Sequence, residues 1–340
     1  MTSKERYLAC VRGEARDRVP VTPIFMIWGA HYIGRMYREY YLDGDVLADV
    51  QLAMARTFGV DQVSAISDPW REASAYGMEF DYPEEGVGVP RGVLLKTRED
   101  VERLGPVDFG AAARTRQRID SVARMAAEAG ETHSVLGWVE GPMAEYADLR
   151  GMQEAMIDLI DAPEVFARAA EVLTDNAIEY ARLQIAAGAD TVGVGDAAAS
   201  LIGPKLYRRC VLPWEKKLFA AIHEAGALVR LHICGNINDL LGDIATAGAD
   251  VVDLDWMVPV ARAREAMGPE VALCGNFDPT AVLLQGTPDS VAAAARRCIA
   301  EGGDRFILQP GCEVPPATPE ANVRAFCPGE GCLIGESLAI

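Results

Sequence analysis

Short apolar runs recur along the chain at positions 21–24, 62–66, 135–139, 191–195, 227–231, 251–254, 271–274 and 305–309. Each is too short for a helix, and several are continuous rather than alternating, the pattern of strands covered on both faces. The stretches between them place apolar residues at helical spacing. They predict helices over 45–58, 110–130, 143–160 (broken), 163–187, 204–226, 238–247, 260–268, 288–301 and 319–326, after a first helix at 3–12. Gly188, Gly248 and Gly302 stand where helix ends turn into the next strand, as glycine caps do. Eight strands alternating with helices predict an α/β fold, a (β/α)8 TIM barrel spanning 1–326 as one unit with an N-terminal helical extension. An open doubly wound sheet is the competing architecture, but no glycine-rich phosphate loop follows an early strand.

Two stretches depart from the alternation. Around 77–97, Met78–Tyr82 and Val89–Leu95 flank a Glu-Glu-Gly turn, which predicts an inserted β-hairpin. The aromatic stretch 26–41, with His31, Arg35 and Arg38, suits a lid or helix over the barrel mouth.

In such a barrel the chemistry lies at the C-terminal ends of the strands. The polar residues that follow the apolar runs are Asp68, Glu140, Asp196, His232, Cys234, Asp253, Asp255, Asn276 and Cys312. Strand alternation puts His232 and Cys234 on one face. Cys312, from the last strand, can meet them over the mouth. One imidazole and two thiolates form a three-ligand zinc set with an open fourth position, as in catalytic zinc sites. Spacing alone also allows a core histidine and small buried cysteines. Asp253 and Asp255 end the next strand, and either can accept the other ring N–H of His232. Glu140 is a candidate fourth ligand or substrate contact. Asp196 is a candidate mouth carboxylate or the cap of the helix that follows it. Asp255 and Asn276 complete the substrate-facing candidates. Asp68, Trp70 and Arg71 are candidate substrate contacts, with a surface turn the stronger reading for Asp68-Pro69, and Cys274 reads as packing.

Composition narrows the partners. The 340 residues carry a formal net charge of −18. Such a surface repels nucleic acid and anionic membrane, whose phosphates bind by exchanging counterions for Lys and Arg. The eight cysteines are scattered, with no dense disulfide framework. No apolar segment follows Met1-Thr2-Ser3-Lys4-Glu5-Arg6, and no apolar run approaches a membrane span of about 20 residues. A reducing cytoplasm is the expected setting, where clustered thiols serve metals or catalysis.

The sequence His232-Ile233-Cys234-Gly235, with Pro310-Gly311-Cys312 far downstream, resembles the ligand signature of the zinc-dependent, corrinoid-linked methyltransferases within the uroporphyrinogen decarboxylase superfamily. The resemblance spans about Thr2 to Phe326 and includes Leu201–Tyr207, Leu212–Leu218 and Gly275–Pro279. It implies Zn²⁺ on His232, Cys234 and Cys312, and methyl transfer between a corrinoid (methylcobamide) and a small donor or acceptor such as a thiol or a methoxylated or methylated compound. Direction is left open. The chain has no Asp-x-His-x-x-Gly segment, so the resemblance implies that the corrinoid arrives on a partner protein docking over the mouth, where Asp68, Trp70 and Arg71 are also candidate corrin contacts. The metal-free decarboxylase of the same superfamily is the alternative. It binds a polycarboxylate porphyrinogen through an early arginine-rich segment. Gly34–Tyr40 partly resembles that segment, but Met26–His31 lacks its upstream arginine. After Phe326 the sequence departs from the family, and 327–340 reads as an irregular tail with Cys327 and Cys332.

Overall fold

The computed structural model describes residues 1–339. Seven strands form one parallel sheet in chain order: Gln62–Ser64, Ser134–Glu140, Thr191–Gly195, Leu228–His232, Val251–Asp253, Ala272–Phe277 and Phe306–Pro310. The eighth position is the segment 20–22. Thr22 N–H donates to Leu308 O (3.0 Å), Leu308 N–H to Pro20 O (2.8 Å), and Asp61 N–H to Val21 O (2.9 Å), which joins the two edges into a barrel. Pro20 and Pro23 carry no N–H, so the ladder cannot extend past this short seam. The expected (β/α)8 barrel is therefore present, with one strand reduced to a bridge.

The helix Ser3–Arg12 is capped by Thr2 and lies across the end opposite the mouth, where Lys4 N–H donates to Thr132 O (2.7 Å) and Arg6 pairs with Asp61 (2.7 Å). The insertion forms an antiparallel pair, Phe80–Asp81 with Val89–Pro90. Two predicted helices differ. The stretch 238–247 keeps only Leu241–Ile244 as helix, because the Asn236 side-chain oxygen takes the Asn238 N–H (3.1 Å) in a turn that competes with a helical start. The stretch 204–226 passes through a π-helical turn, Tyr207–Val211, before Leu212–Glu224. Pro213 has no N–H for the carbonyl four residues earlier, and its ring crowds that carbonyl.

The residues after Phe326 carry one short helix, Gly335–Leu338, and are packed on the barrel: Ile334, its N-cap, and Leu338 are each 1% exposed, and Val19 N–H donates to Leu338 O (2.8 Å). Cys327 is buried in the core. Ile340 lies outside the described residues. Among the described residues, no helix is long and apolar enough to cross a membrane.

Candidate metal centre

The strand Leu228–His232 alternates sides, so Arg230 and His232 both point into the barrel. Beyond it the chain turns at Gly235, whose φ of +91° is the left-handed region that favours glycine. This turn brings Cys234 back beside His232, with Nε2 and Sγ 3.1 Å apart. Cys312 follows the last strand, and its Sγ lies 3.9 Å from that of Cys234. The donor atoms of His232, Cys234 and Cys312 all fall within 4.8 Å of one another. Among the described residues this is the one such cluster, and no carboxylate belongs to it.

Neighbouring side chains aim the three donors. Asp253 Oδ2 holds His232 Nδ1 at 2.9 Å, which leaves Nε2 facing the thiols. Asp253, not Asp255, is thus the partner of the imidazole. Asp255 instead fixes the turn: its carboxylate accepts the Gly235 N–H (2.9 Å) and the Met257 N–H (3.1 Å). Asn276 in turn donates to the backbone carbonyls of Asp255 (3.1 Å) and Val258. Asp255 and Asn276, expected to face substrate, therefore spend these polar groups bracing the loop that carries Cys234. Burial works against a charged His232, but the Cys234 sulfur and Asp253 outweigh it and push its pKa up. Contact with the Cys234 sulfur, 3.9 Å away, pulls the Cys312 thiol down, with His232 adding to the effect, while the same contact pushes Cys234 up. An imidazole oriented by Asp253 beside two thiols is a donor set that suits a soft or borderline cation such as Zn²⁺.

Trp138 forms one wall. Its ring centroid lies 5.9 Å from that of His232, and its Nε1–H donates to Glu140 Oε1 (2.9 Å). The indole lies across Gly193 and Gly195, where any Cβ would collide with its ring. Glu140 is 9% exposed and sits beside Gly195, which pairs with His232 in register. Its carboxyl lies outside the ligand cluster. Burial, with Glu72 and Asp148 adding, pushes its pKa well above the carboxylate range.

Asp196 is not an open mouth carboxylate. It is fully buried, and it caps a neighbouring helix rather than the one that follows it, accepting the Ala144 N–H of Pro142–Arg150 (2.7 Å). Burial pushes its pKa up to about 7. Asp68, read as a surface turn, is also buried, pairing with Arg114 at 2.6 Å. Cys274 is fully buried and faces Thr22 Oγ1 (3.6 Å) and the Arg230 guanidinium (3.4 Å), away from the ligand cluster. Two groups escaped the sequence reading. Arg230 lies beneath the cluster and donates to Asp253 Oδ1 at 2.8 Å. Its signal was an arginine inside an apolar run, two residues before His232. The other is the buried pair Arg114 and Arg118 beside Arg71, where Arg118 pairs with Glu72 (3.0 Å). Helical residues far apart in sequence build it, and no local pattern announces it.

Known proteins resemble this chain along nearly its whole length. Methylcobamide:CoM methyltransferase MtbA of Methanosarcina acetivorans is 26% identical over 332 residues, covering 95% of this chain and 96% of that protein. A uroporphyrinogen decarboxylase of Nocardia farcinica is 32% identical over 321 residues, covering 88% and 86%. The solved structure of a methyltransferase from Methanosarcina mazei superposes with a TM-score of 0.88 at 26% identity, covering 96% of this chain and 97% of that one. The uroporphyrinogen decarboxylase (URO-D) family profile matches residues 2–328, so the chain belongs to that family of enzymes.

Proposed function

We propose that this enzyme moves a methyl group between a corrinoid carried on a separate protein and a small donor or acceptor, such as a thiol or a methoxylated or methylated compound, at a zinc ion held by His232, Cys234 and Cys312. The observation that carries the reading is the convergence of one imidazole and two thiols within 4.8 Å, with the imidazole pinned from behind by Asp253. When bound, Zn²⁺ supplies a Lewis acid that keeps a substrate thiol ionised or polarises a methyl donor. The protein's part is to present the donors. Cys234 and Cys312 bind as thiolates, and Asp253 holds the His232 tautomer whose Nε2 is free to ligate. Asp255 and Asn276 keep the Cys234 turn in place. Trp138 and Glu140 wall the side next to His232, where Glu140 meets the substrate. A reducing cytoplasm keeps these thiols available, in accord with eight cysteines that are all unpaired.

The relatives named methylcobamide:CoM methyltransferase support this reading. The Nocardia relative named uroporphyrinogen decarboxylase favours a second one, a metal-free carboxy-lyase acting on a polycarboxylate. That substrate needs cations at the mouth. Arg35 and Arg38 are exposed, and Arg35 is already paired with Glu39 (3.2 Å).

Metal analysis of the purified protein tests the proposal. About one zinc per chain is expected, lost in Cys312→Ala, with methylcobalamin demethylated by the wild type in the presence of a suitable thiol or methyl acceptor. Turnover of uroporphyrinogen by zinc-stripped protein would overturn it in favour of the decarboxylase.

A further inference from the structure

Arg230 sits in the barrel floor beneath the donor cluster and is 2% exposed. Its guanidinium is used up inside the barrel. Nε donates to Asp253 Oδ1 (2.8 Å). Nη1 donates to Gln62 Oε1 (2.6 Å) and Thr22 Oγ1 (3.2 Å). Nη2 donates to Gln309 Oε1 (2.6 Å) and Cys274 Sγ (3.4 Å). These acceptors stand on five different positions around the barrel wall. The guanidinium is planar and rigid, so it fixes the distances between the groups it joins.

Two of the five ties lead to the metal donors. Asp253 passes its other oxygen to His232 Nδ1 (2.9 Å). Gln309 belongs to the strand Phe306–Pro310, which ends two residues before Cys312. The Gln309 Nε2 has no hydrogen-bond partner, so Arg230 alone orients that amide. The ties to Gln62 and Thr22 lead to strands that carry no donor.

We infer that Arg230 is a positioning residue that couples the two halves of the metal centre. Through Asp253 it fixes the orientation of His232, and through Gln309 it anchors the strand that delivers Cys312 from across the barrel. It thereby fixes the gap between His232–Cys234 and Cys312. The inference rests on the reading that these three residues hold zinc. A buried arginine that only filled the core would have equivalent ties, so removing any one would cost stability without selecting the metal. A coupling residue has unequal ties.

The test uses the full chain, stripped of metal and reloaded. Zinc affinity is measured by chelator competition, and donor geometry by the visible absorption of the cobalt(II) form. Gln309→Leu is expected to weaken zinc binding about tenfold and to shift the cobalt–thiolate bands, as loss of a group that orients a metal ligand does. Gln62→Leu loses a hydrogen bond to the same guanidinium of the same 2.6 Å length. Gln62→Leu also loses the bond from Nε2 to Ser134 Oγ (3.0 Å), so its metal-free form should melt at least as low as that of Gln309→Leu, yet its zinc affinity is expected to change less than about twofold. Gln309→Glu restores an acceptor for Arg230 and should return the affinity to within about threefold of wild type. Equal losses of affinity in the two leucine variants, or no loss in either, would overturn the coupling role while leaving the zinc site standing. A wild type that binds no zinc overturns the metal reading itself, and the coupling role with it.

Discussion

Trp138 separates two buried charge networks that handle their carboxylates in opposite ways. On the His232 side, both oxygens of Asp253 have donors, Arg230 and the imidazole. Burial opposes its ionisation, but the guanidinium outweighs burial and holds its pKa below the usual carboxylate range. On the Glu140 side, Glu72, Glu140 and Glu145 crowd around Arg118, with Asp148 close by. Neither oxygen of Glu145 has a hydrogen-bond partner. Burial pushes Glu140, Glu145 and Asp148 well above their ordinary values. The depth of burial is similar on the two sides. What differs is whether each carboxylate receives its own cation, because an unpaired buried charge is lost by protonation. One side is a fixed-charge brace, suited to aiming a ligand. The other pushes its carboxyls toward the protonated form.

The largest test of this contrast is Asp253→Asn. It removes the charge that holds both His232 and Arg230, so zinc affinity should fall about 100-fold, measured by chelator competition. The protein should also lose about 3–5 kcal/mol of stability in denaturant titration, because Arg230 is left buried without a counter-ion. If affinity stays unchanged, the brace has no role at the metal. A smaller effect is expected for Glu140→Gln, which keeps an acceptor for the Trp138 N–H and removes the proton. Zinc content should stay at the wild-type level while methyl transfer slows by at least about tenfold, on the scale of general acid–base effects. Loss of zinc in this variant would place Glu140 among the ligands instead.

The smallest effect concerns Asp196, which repeats the protonated pattern away from the metal. Its folded pKa of about 7 lies above the ordinary carboxylate value. Its contribution to stability is therefore present at low pH and is lost as pH rises from about 4 through about 7. Asparagine keeps the oxygen that caps Ala144 and has no proton to lose. The melting midpoint of Asp196→Asn should gain on wild type as pH rises over that range and then level off, a few degrees higher at about pH 8. A gain that is the same at every pH would mean that Asp196 titrates normally.

The strand order was legible because it follows from local periodicity, and eight apolar runs put His232 and Cys312 at the same end of the barrel. Spacing alone left the trio open and the family resemblance singled it out; Cys234 reaches His232 through the turn at Gly235, beyond the strand, rather than by period-two alternation. Reading the polar residue after each run as substrate-facing went too far. Asp196, Asp255 and Asn276 end their strands as expected, but backbone N–H and C=O groups of neighbouring loops claim their side chains. Such claims depend on which loops meet, and that is set by tertiary packing. The Asp68–Arg114 pair was hidden for the same reason, since its members come from a strand end and a helix 46 residues apart. The helix expected over 238–247 was cut to Leu241–Ile244 by a local competitor, the Asn236 turn, that propensity alone underweights.

The indole of Trp138 needs the bare backbone of Gly193 and Gly195 beneath it. The three positions therefore form one unit of inheritance. A side chain at either glycine excludes the indole, and a small residue at 138 opens a void above two glycines that then have no reason to persist. Drift at this wall must proceed by simultaneous or compensated replacement, and a lineage that changes the trio also reshapes the space beside His232.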